Sequence, residues 1–569
     1  MASTLYSSSL YTTLCYIILL FVLSSPSSSA ASTPSYAPTT PVAPEVVCNA
    51  TLYPNFCKSI FPRTGKSNVY DYCRFSMRKS LSETKKFMAS VDSLLTRSRT
   101  LSKNVVQALE DCRQLEQLNM EYLSTTISSI NSTRTLPAMK ADDMQTLLSA
   151  ILTNQQTCYE GLQETASPQI VKGALYAPLS NENKISSVSL ALYNRGWVRE
   201  KNRGKMEIGR KLLFSDMIRD GALQLKMSSR NREIFESASK RKLVQTVSDK
   251  VVVRDMVVVN QDGSGNFTTI NEAVAAAPNK TRITDGFFLI YIKSGVYQEY
   301  VDIVKNKRNI MMIGDGINKT IITGDRSVGG GSTTFRSATF IVVGEGFVGI
   351  NITFRNTAGP SMNQAVAVRS GADFSTFYRC SFEAYQDTLY THSLRQFYRE
   401  CDIYGTVGFI FGNAAVVFQN CNIYARLPNP RQANMVTAQG RADPNQNTGT
   451  SIQNCNILAS PDLASSNGTT RTYLGRPWRE YSRTIYSQSF IDSLIDPSGW
   501  DPWTGEFLDT LYYAEFNNRG PGSNTSSRVQ WPGYRTIDLM NATAFTVSSF
   551  IVGDDWLPAT GIPYRGELL

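Results

Sequence analysis

Four similar stretches carry the strongest structural signal in this sequence: TFYRCSF at residues 376–382, QFYRECDIYG at 396–405, VVFQNCNIYA at 416–425 and SIQNCNILA at 451–459. When their cysteines are aligned, the first two intervals are 21 and 20 residues. Aromatic and apolar residues occupy alternate positions, as in strands with one buried face. A repeat of this length predicts the stacked coils of a solenoid. A parallel β-helix fits better than leucine-rich repeats, because their leucine pattern is absent.

Composition and the spacing of apolar residues divide the chain into five segments. Residues 1–30 contain an apolar run followed by small residues, which predicts a secretory signal peptide, with a signal anchor as the alternative. Residues 31–47 are a Ser/Pro-rich spacer. Apolar residues at three- and four-residue spacing predict a helical bundle over 48–180. Residues 181–253 form a basic linker, and 254–569 are β-rich and punctuated by Gly, Asn and Asp.

Charge and composition exclude several classes of function. The chain has a formal net charge of +10, but from residue 251 onward 26 Lys and Arg accompany 27 Asp and Glu. The excess therefore lies in the N-terminal part, and it does not indicate a nucleic-acid partner. His392 is the only histidine, so a Ser/His/Asp triad would have to use it, and zinc sites usually need more histidines or a cysteine cluster. Nine Asn-x-Ser/Thr sequons and ten cysteines are compatible with a secreted glycoprotein.

Polar residues in the β-rich part recur at the period of the coil. Gln364 is followed 22 residues later by Gln386, Asp387 is adjacent, and position 408 comes 21 residues after Asp387. Residues one coil apart stack at about 4.8 Å, so we expect these positions on one face of the β-helix. Such a ladder is either a site or a set of side chains that satisfy each other's hydrogen bonds.

Six motifs after residue 254 resemble the plant pectinesterases (pectin methylesterases) in order and spacing: GVYQE at 295–299, TTFRSAT at 333–339, QAVAV at 364–368, QDTLY at 386–390, GTVGFIFG at 405–412 and LGRPW at 474–478. Residues 45–180, which include CNATLYPNFC, resemble the plant invertase and pectinesterase inhibitor family. The resemblance implies a mixed fold, with an N-terminal four-helix bundle as pro-domain followed by a right-handed parallel β-helix. It also implies a secreted protein of the plant cell wall.

The same resemblance implies a disulfide pattern. In the helical part it pairs Cys48 with Cys57 and Cys112 with Cys158. In the β-helix it pairs Cys401 with Cys421, although Cys380 could compete for Cys401. Cys73 is left over, and as a small apolar side chain it is expected in the core.

Basic clusters in the linker resemble the subtilase processing motifs of plant pectinesterase precursors. The favoured site is Arg210, Lys211, Leu212 and Leu213, and the cluster at 240–244 is the alternative. A processing protease and the pro-domain itself are therefore expected partners, beside the substrate.

Carried over by motif, the family's chemistry is the hydrolysis of methyl esters of polygalacturonate by an aspartyl mechanism, without cofactor or metal. Asp387 would be the general acid, protonated through an anionic neighbour. Gln364 and Gln386 would stabilise the oxyanion. Arg476 would orient the nucleophile by a charge-assisted hydrogen bond.

Substrate contacts follow from the same motifs. Thr334, Gln364 and Arg476 match positions where the family touches pectin (methyl-esterified homogalacturonan). Trp478 would be an aromatic wall for a sugar ring.

The sequence departs from the family at one decisive position. The family pattern is GTVDFIFG, and this chain has Gly408 where the nucleophilic aspartate is expected. Asp402 and Glu383 are poor replacements, because one lies too far along its strand and the other in another rung. Three functions remain open: a pectinesterase, a pectin-binding protein with severely reduced turnover, and an esterase inhibitor acting through the pro-domain.

Overall fold

The computed structural model describes residues 36–62, 65–165, 169–198, 225–239, 251–466 and 468–569. The N-terminal part is helical: α1 (Pro44–Cys48), α2 (Pro54–Ile60), α3 (Val69–Leu95), α4 (Lys103–Ile130), α5 (Ala138–Glu164) and α6 (Gln169–Trp197). Asn68 and Ser102 begin α3 and α4 as N-caps, because each side chain accepts a hydrogen bond from a free backbone N–H of the first turn. Helices α3 to α6 pack side by side as the predicted bundle.

Two disulfides hold this bundle, as expected. Cys48–Cys57 joins α1 to α2, and Cys112–Cys158 joins α4 to α5. Cys73 is a fully buried free thiol on α3, which agrees with its expected place in the core.

The linker expected over 181–253 is too long. Helix α6 continues to Trp197, because Val188, Leu192 and Trp197 are buried in the bundle. Further along, strand β1 (Leu225–Lys226) pairs with the first long strand of the next domain, and helix α7 spans Ser229–Ser239. The candidate processing residues Arg210 to Leu213, the alternative cluster at 240–244 and the candidate signal peptide lie outside the described residues.

The rest of the described chain is a parallel β-helix with three sheets, and its strands are numbered in chain order. Sheet 1 contains β1, β2 (Val251–Val259), β3 (Phe287–Ile292), β6 (Ile310–Gly314), β9 (Val348–Ile350), β12 (Ser375–Tyr378), β15 (Arg395–Arg399), β18 (Ala415–Gln419), β21 (Gly449–Gln453), β24 (Arg483–Ser487), β26 (Tyr512–Phe516) and β27 (Tyr534–Thr536). Sheet 2 contains β4 (Gly295–Gln298), β7 (Thr320–Gly324), β10 (Thr353–Asn356), β13 (Ser381–Glu383), β16 (Asp402–Gly405), β19 (Asn422–Ala425), β22 (Asn456–Ala459) and β25 (Phe490–Ile491). Sheet 3 contains β5 (Val301–Ile303), β8 (Phe340–Val342), β11 (Val368–Ser370), β14 (Leu389–Thr391), β17 (Ile410–Gly412), β20 (Asn434–Gln439) and β23 (Thr472–Gly475).

The repeat that opened the sequence is confirmed as the period of these coils. Strands β12, β15 and β18 pair in parallel, so that Phe377, Tyr398 and Phe418 occupy equivalent places. Their rings stack with centroid separations of 5.0 and 4.7 Å inside the coil. The alternation in the sequence therefore marks which side chains face the core.

The cysteines of the repeat correct one expectation. Cys401 and Cys421 do not form the expected disulfide, and with Cys380 and Cys455 they are buried free thiols at equivalent places in successive coils. Their sulfurs lie beside backbone carbonyls of the core: Cys401 Sγ, for example, is 3.4 Å from the carbonyl oxygen of Phe377. Stacking in register places these thiols in successive coils as neighbours in the core.

Short elements close the ends of the coils. Helix α8 (Ile270–Ala276) begins at a capping box formed by Thr269 and Glu272. Near the C-terminal end lie α9 (Pro461–Ala464), α10 (Leu539–Thr543) and α11 (Val547–Phe550). Within the described part of the chain, every helix is too short or too polar to cross a lipid bilayer.

The helical bundle lies against the β-helix beside sheet 3. Thr153 on α5 accepts a hydrogen bond from Asn413, and Asp143 on α5 forms an ion pair with Arg395 at 2.8 Å. Further along, Ser187 on α6 donates a hydrogen bond of 2.5 Å to Asp443. These contacts hold α5 and α6 against this side of the β-helix.

Candidate active site

Asp387 and Gly408 are neighbours in successive coils, as their spacing predicts. Strands β14 and β17 pair with Leu389 opposite Ile410, so position 387 stands beside position 408. Both residues adopt left-handed φ values, 63° and 58°, in the turn before each strand. A Cβ built on Gly408 would lie 3.5 Å from Asp387 Oδ1. A side chain at 408 would thus contact the Asp387 carboxyl directly.

The two glutamines also lie on this face. Val368 of β11 is opposite Leu389 of β14, and the Ala365 N–H donates to the Gln386 carbonyl at 3.2 Å. Gln364 and Gln386 both line the cleft beside Asp387. Among the described residues, neither side-chain amide has a hydrogen-bond partner, so the ladder is not a set of mutually satisfied amides. Both NH₂ groups are free to donate to a ligand.

Arg476 and Trp478 follow strand β23 and complete the same face. The Arg476 N–H donates to the Thr437 carbonyl at 3.0 Å, which fixes the turn. The Arg476 guanidinium lies 3.6 Å from the ring centroid of Trp503. Its Nε is buried and has no hydrogen-bond acceptor within the described chain. Burial lowers the pKa of Arg476, and the nearby Asp387 and Asp501 carboxyl groups oppose that change without a hydrogen bond to its Nε.

The pKa of Asp387 is raised well above its ordinary value. Burial is the largest cause; the nearby Arg476 opposes it, and the Glu164 carboxylate adds to it. The Asp387 side chain is only partly buried by surface area, but the surface that it exposes faces a cleft between two domains. Burial thus raises the pKa of Asp387 although the expected anionic neighbour at 408 is absent.

Aromatic side chains that the sequence argument passed over form the floor of the cleft. Tyr390 and Phe411 pair across β14 and β17, and their rings stack at 4.2 Å. Trp478 lies 5.8 Å from Phe411 between ring centroids. The signal was present, since Tyr390 and Phe411 are 21 residues apart like Asp387 and Gly408. The same coil period therefore predicts that these two rings stack.

The second wall of the cleft comes from the helical domain. The Glu164 carboxylate of α5 accepts hydrogen bonds from the Thr334 N–H at 3.1 Å and from its hydroxyl at 3.0 Å. Glu160, one turn earlier, forms an ion pair with Arg479. Thr334, expected to contact substrate, therefore has a carboxylate of the same chain as its ligand here.

Asp111 on α4 extends this wall. It accepts a hydrogen bond of 3.1 Å from the Thr333 hydroxyl and pairs with Arg336. Burial raises the pKa of Asp111 to about 6, with Arg336 opposing the change, and burial also raises the pKa values of Glu160 and Glu164. No local pattern in the sequence relates these acidic residues to the β-helix.

The two walls enclose a cavity of about 220 Å³. Its lining includes every expected site residue: Thr334, Gln364, Gln386, Asp387, Gly408, Arg476 and Trp478. The structure thus brings the whole set together, which the motif order alone did not require.

The other carboxylates considered as replacements are occupied elsewhere. Glu383 pairs with Arg355 at 2.7 Å on sheet 2, and Asp402 accepts a hydrogen bond of 2.9 Å from Asn422 on the same sheet. Neither lines the cavity. Position 408 therefore has no substitute among these two.

His392 faces the helical domain and not the cavity. Its Nε2 lies 3.0 Å from the Thr157 hydroxyl, and its Nδ1 lies 3.0 Å from the Ser393 hydroxyl. Burial, aided by Arg369, lowers the pKa of His392 to about 3, so the ring is neutral. Without a carboxylate on either ring nitrogen, it does not form a Ser/His/Asp triad.

Comparison with known proteins agrees with this architecture. A family model described as Pectinesterase matches residues 256–554, and one described as Plant invertase/pectin methylesterase inhibitor matches 43–192. The chain is 54% identical over 531 residues to "Probable pectinesterase/pectinesterase inhibitor 20" of Arabidopsis thaliana, covering 93% of this chain and 94% of the relative. "Probable pectinesterase/pectinesterase inhibitor 7" of the same plant is 55% identical over 549 residues, covering 92% and 95%.

A solved structure gives the same result for the β-helix. "Pectin methylesterase from Carrot" is 54% identical, with a TM-score of 0.54, and the match covers 57% of this chain and 100% of the carrot chain. The carrot chain therefore corresponds to the β-helix part without the helical bundle. This chain belongs to the pectinesterase family, as a plant precursor with an inhibitor-like helical pro-domain ahead of its β-helix.

Proposed function

We propose that the β-helix domain binds methyl-esterified homogalacturonan in the plant cell wall and hydrolyses its methyl esters at a severely reduced rate. The observation that carries this proposal is the pair formed by Gly408 and Arg476. The position expected to supply the nucleophile has no side chain, and the Arg476 Nε that would hold it has no acceptor among the described residues. Family membership supports the substrate class, and position 408 supports the reduced turnover.

The remaining groups suit ester hydrolysis. A nucleophile attacks the ester carbonyl carbon, and the oxygen that becomes negative needs donors such as the amides of Gln364 and Gln386. When the tetrahedral intermediate collapses, the methoxide that leaves takes a proton, and Asp387, whose pKa is raised by burial, is the proposed donor. The cleft has a candidate residue for each of these steps except the nucleophilic attack.

Without a carboxylate at 408, water has to attack the ester. Asp387 is a poor base for that water while it carries a proton. Loss of a covalent nucleophile commonly costs about 10⁴-fold or more, and the oxyanion donors and binding groups leave residual catalysis. The expected product of the slow reaction is the free galacturonate carboxylate together with methanol.

A second function is favoured by the helical wall of the cleft. Glu164 accepts hydrogen bonds from the N–H and the hydroxyl of Thr334, and Glu160 forms an ion pair with Arg479. A polysaccharide chain cannot occupy the same space. We therefore propose that the pro-domain blocks the site in the uncleaved chain, and that cleavage in the segment that contains Arg210–Leu213 by a processing protease in the secretory pathway relieves the block.

Methanol release from methyl-esterified pectin tests the main proposal. The β-helix domain (residues 225–569) is compared with its Gly408→Asp variant, which restores the family's carboxylate in a backbone conformation that Asp tolerates. We expect a gain of about 10⁴-fold. Glu383→Gln is the matched control, because it changes a carboxylate of the same domain outside the cavity, and it should leave the rate unchanged.

A natural domain as fast as Gly408→Asp would refute the reduced turnover. If both versions were folded and neither bound pectin, the proposed ligand would be wrong. Circular dichroism of each protein establishes that the comparison is between folded molecules.

A further inference from the structure

We propose that the space beside Gly408 is a binding site for a free carboxylate, held by Arg476, and that its ligand in pectin is a de-esterified galacturonate unit. This deepens the proposed function and rests on it for the identity of the polymer. The family's groove recognises the ester that it cleaves. In this chain, the glycine at 408 leaves room in that groove for the free carboxylate.

Space for such a group is present at the position of the missing side chain. A Cβ at Gly408 would meet only the Ala438 Cβ at 3.4 Å and Asp387 Oδ1 at 3.5 Å, which are ordinary contact distances. The cavity of about 220 Å³ is several times larger than the roughly 30 Å³ that a water molecule occupies in the liquid. A carboxylate therefore fits without displacing protein.

The cation of the site lies on the β-helix side of the cavity, whose lining also contains the acidic side chains of Asp111, Glu160, Glu164 and Asp387. Arg476 has the Trp503 ring on one side, and its buried Nε lacks an acceptor within the described residues. Among the described residues that line the cavity, Arg476 is the only lysine or arginine. Arg336 and Arg479 lie outside that lining and form ion pairs with Asp111 and Glu160. Arg476 is thus the cation that this chain leaves without a hydrogen-bonded carboxylate, and a guanidinium holds a carboxylate strongly.

The groups around Arg476 are donors as well. The amides of Gln364 and Gln386 are unpaired in the described chain, and burial raises the pKa of Asp387, whose carboxyl donates an O–H when it is protonated. A carboxylate accepts several hydrogen bonds at once, whereas a methyl ester is neutral and a weaker acceptor. The arrangement therefore favours the free acid over the ester.

The chain itself supplies a precedent for a carboxylate in this cleft. Glu164 enters the cavity from α5 and accepts from both the N–H and the hydroxyl of Thr334. It satisfies both donors of Thr334 but does not accept a hydrogen bond from Arg476 Nε. A carboxylate of the chain is thus already bound at Thr334, whereas Arg476 beside Gly408 has no hydrogen-bonded carboxylate at its Nε within the described residues.

Small probes test the site in the intact chain, whose cavity admits them. Sodium formate, D-galacturonate and methyl D-galacturonate are titrated by calorimetry at constant ionic strength, with chloride as the reference anion. We expect formate and galacturonate to bind the natural chain, and methyl galacturonate to bind about ten-fold more weakly than galacturonate. Thermal stabilisation that increases with the concentration of the acid is the second readout.

Two variants give the expected losses. Gly408→Asp fills the space with its own carboxylate, and Arg476→Gln removes the cation, so each should weaken formate binding about ten-fold or more. Arg355→Gln is the matched control, since Arg355 pairs with Glu383 outside the cavity, and it should bind formate like the natural chain. Melting curves in chloride show whether each variant is folded.

The outcomes separate this inference from the proposed function. Equal formate binding by the natural chain and Gly408→Asp overturns the carboxylate site, even if the β-helix domain binds pectin. Formate binding that depends on position 408, without preference for galacturonate over its methyl ester, keeps the anion site and overturns its galacturonate ligand. If the site passes both tests but the β-helix domain binds neither pectin nor pectate, the proposed function fails and the anion site stands.

Discussion

The two walls of the cleft are built by different rules. On the β-helix wall, the period of the coil fixes the positions of Gln386, Asp387 and Gly408. This wall presents hydrogen-bond donors, and position 408 has no carboxylate to accept from them. On the helical wall, Glu160 and Glu164 lie one turn apart on α5 and present acceptors. Of the four acidic side chains that line the cleft of the intact chain, Asp111, Glu160 and Glu164 come from the pro-domain, and these three bind residues other than Arg476.

The strongest test of the β-helix wall restores a carboxylate at position 408 and then removes the carboxyl group of Asp387. In the Gly408→Asp background, Asp387→Asn should lower methanol release by about 10²- to 10⁴-fold, because the protonated carboxyl that serves the leaving group is lost. Initial rates on methyl-esterified pectin measure the effect. Asp402→Asn, a carboxylate on sheet 2, is the matched control.

In the natural Gly408 background the same Asp387→Asn change should have a much smaller effect, since attack by water limits the rate. A loss as large as that in the Gly408→Asp background would contradict the assignment of Asp387 as an acid that needs a nucleophile beside it.

The helical wall can be broken separately. In uncleaved Gly408→Asp chain, Glu160→Gln should raise methanol release about ten-fold, because Arg479 loses its charged partner and the pro-domain binds the cleft less tightly. The matched control is Glu83→Gln, which removes an exposed pair with Lys86 on α3. Equal rates for the two variants would refute a role of Glu160 in closing the cleft.

The smallest expected effect lies inside the helical domain, away from the cleft. Glu116 and Glu182 are fully buried; Glu182 accepts a hydrogen bond of 2.5 Å from Thr84, and Glu116 accepts one of 3.1 Å from Asn119. Burial raises both pKa values, and the neighbouring Glu182 carboxylate raises that of Glu116 further. Because the folded state holds the protons more tightly, the free energy of unfolding falls as pH rises from about 4.5 toward the raised pKa.

Glu116→Gln should flatten this pH dependence of the helical domain by up to about 1.4 kcal/mol for each pH unit within that window. Unfolding followed by circular dichroism at 222 nm between pH 4 and 7 measures it, with Glu45→Gln, an exposed carboxylate on α1, as control. An unchanged slope in Glu116→Gln would show that this pair does not set the pH dependence of the stability of the helical domain.

Local patterns were enough for much of this molecule. The coil period, visible in Phe377, Tyr398 and Phe418, predicted which residues stack, and it placed Asp387 beside position 408. The helix spacing predicted the bundle, although the end of α6 at Trp197 was missed, because its burial depends on Tyr70 of another helix. The resemblance supplied two correct disulfides and failed at Cys401 and Cys421, where the structure has stacked free thiols.

The sequence by itself determined the order of side chains around each coil, and with it the absence of a carboxylate at 408. Only the tertiary structure decided which acidic residues enter the cleft. Glu160 meets Arg479 across 319 residues, and Asp111 meets Arg336 across 225. A helix repeats every 3.6 residues and this coil about every 21, so no period in the sequence relates one wall to the other. Their contact is fixed by the packing of two domains.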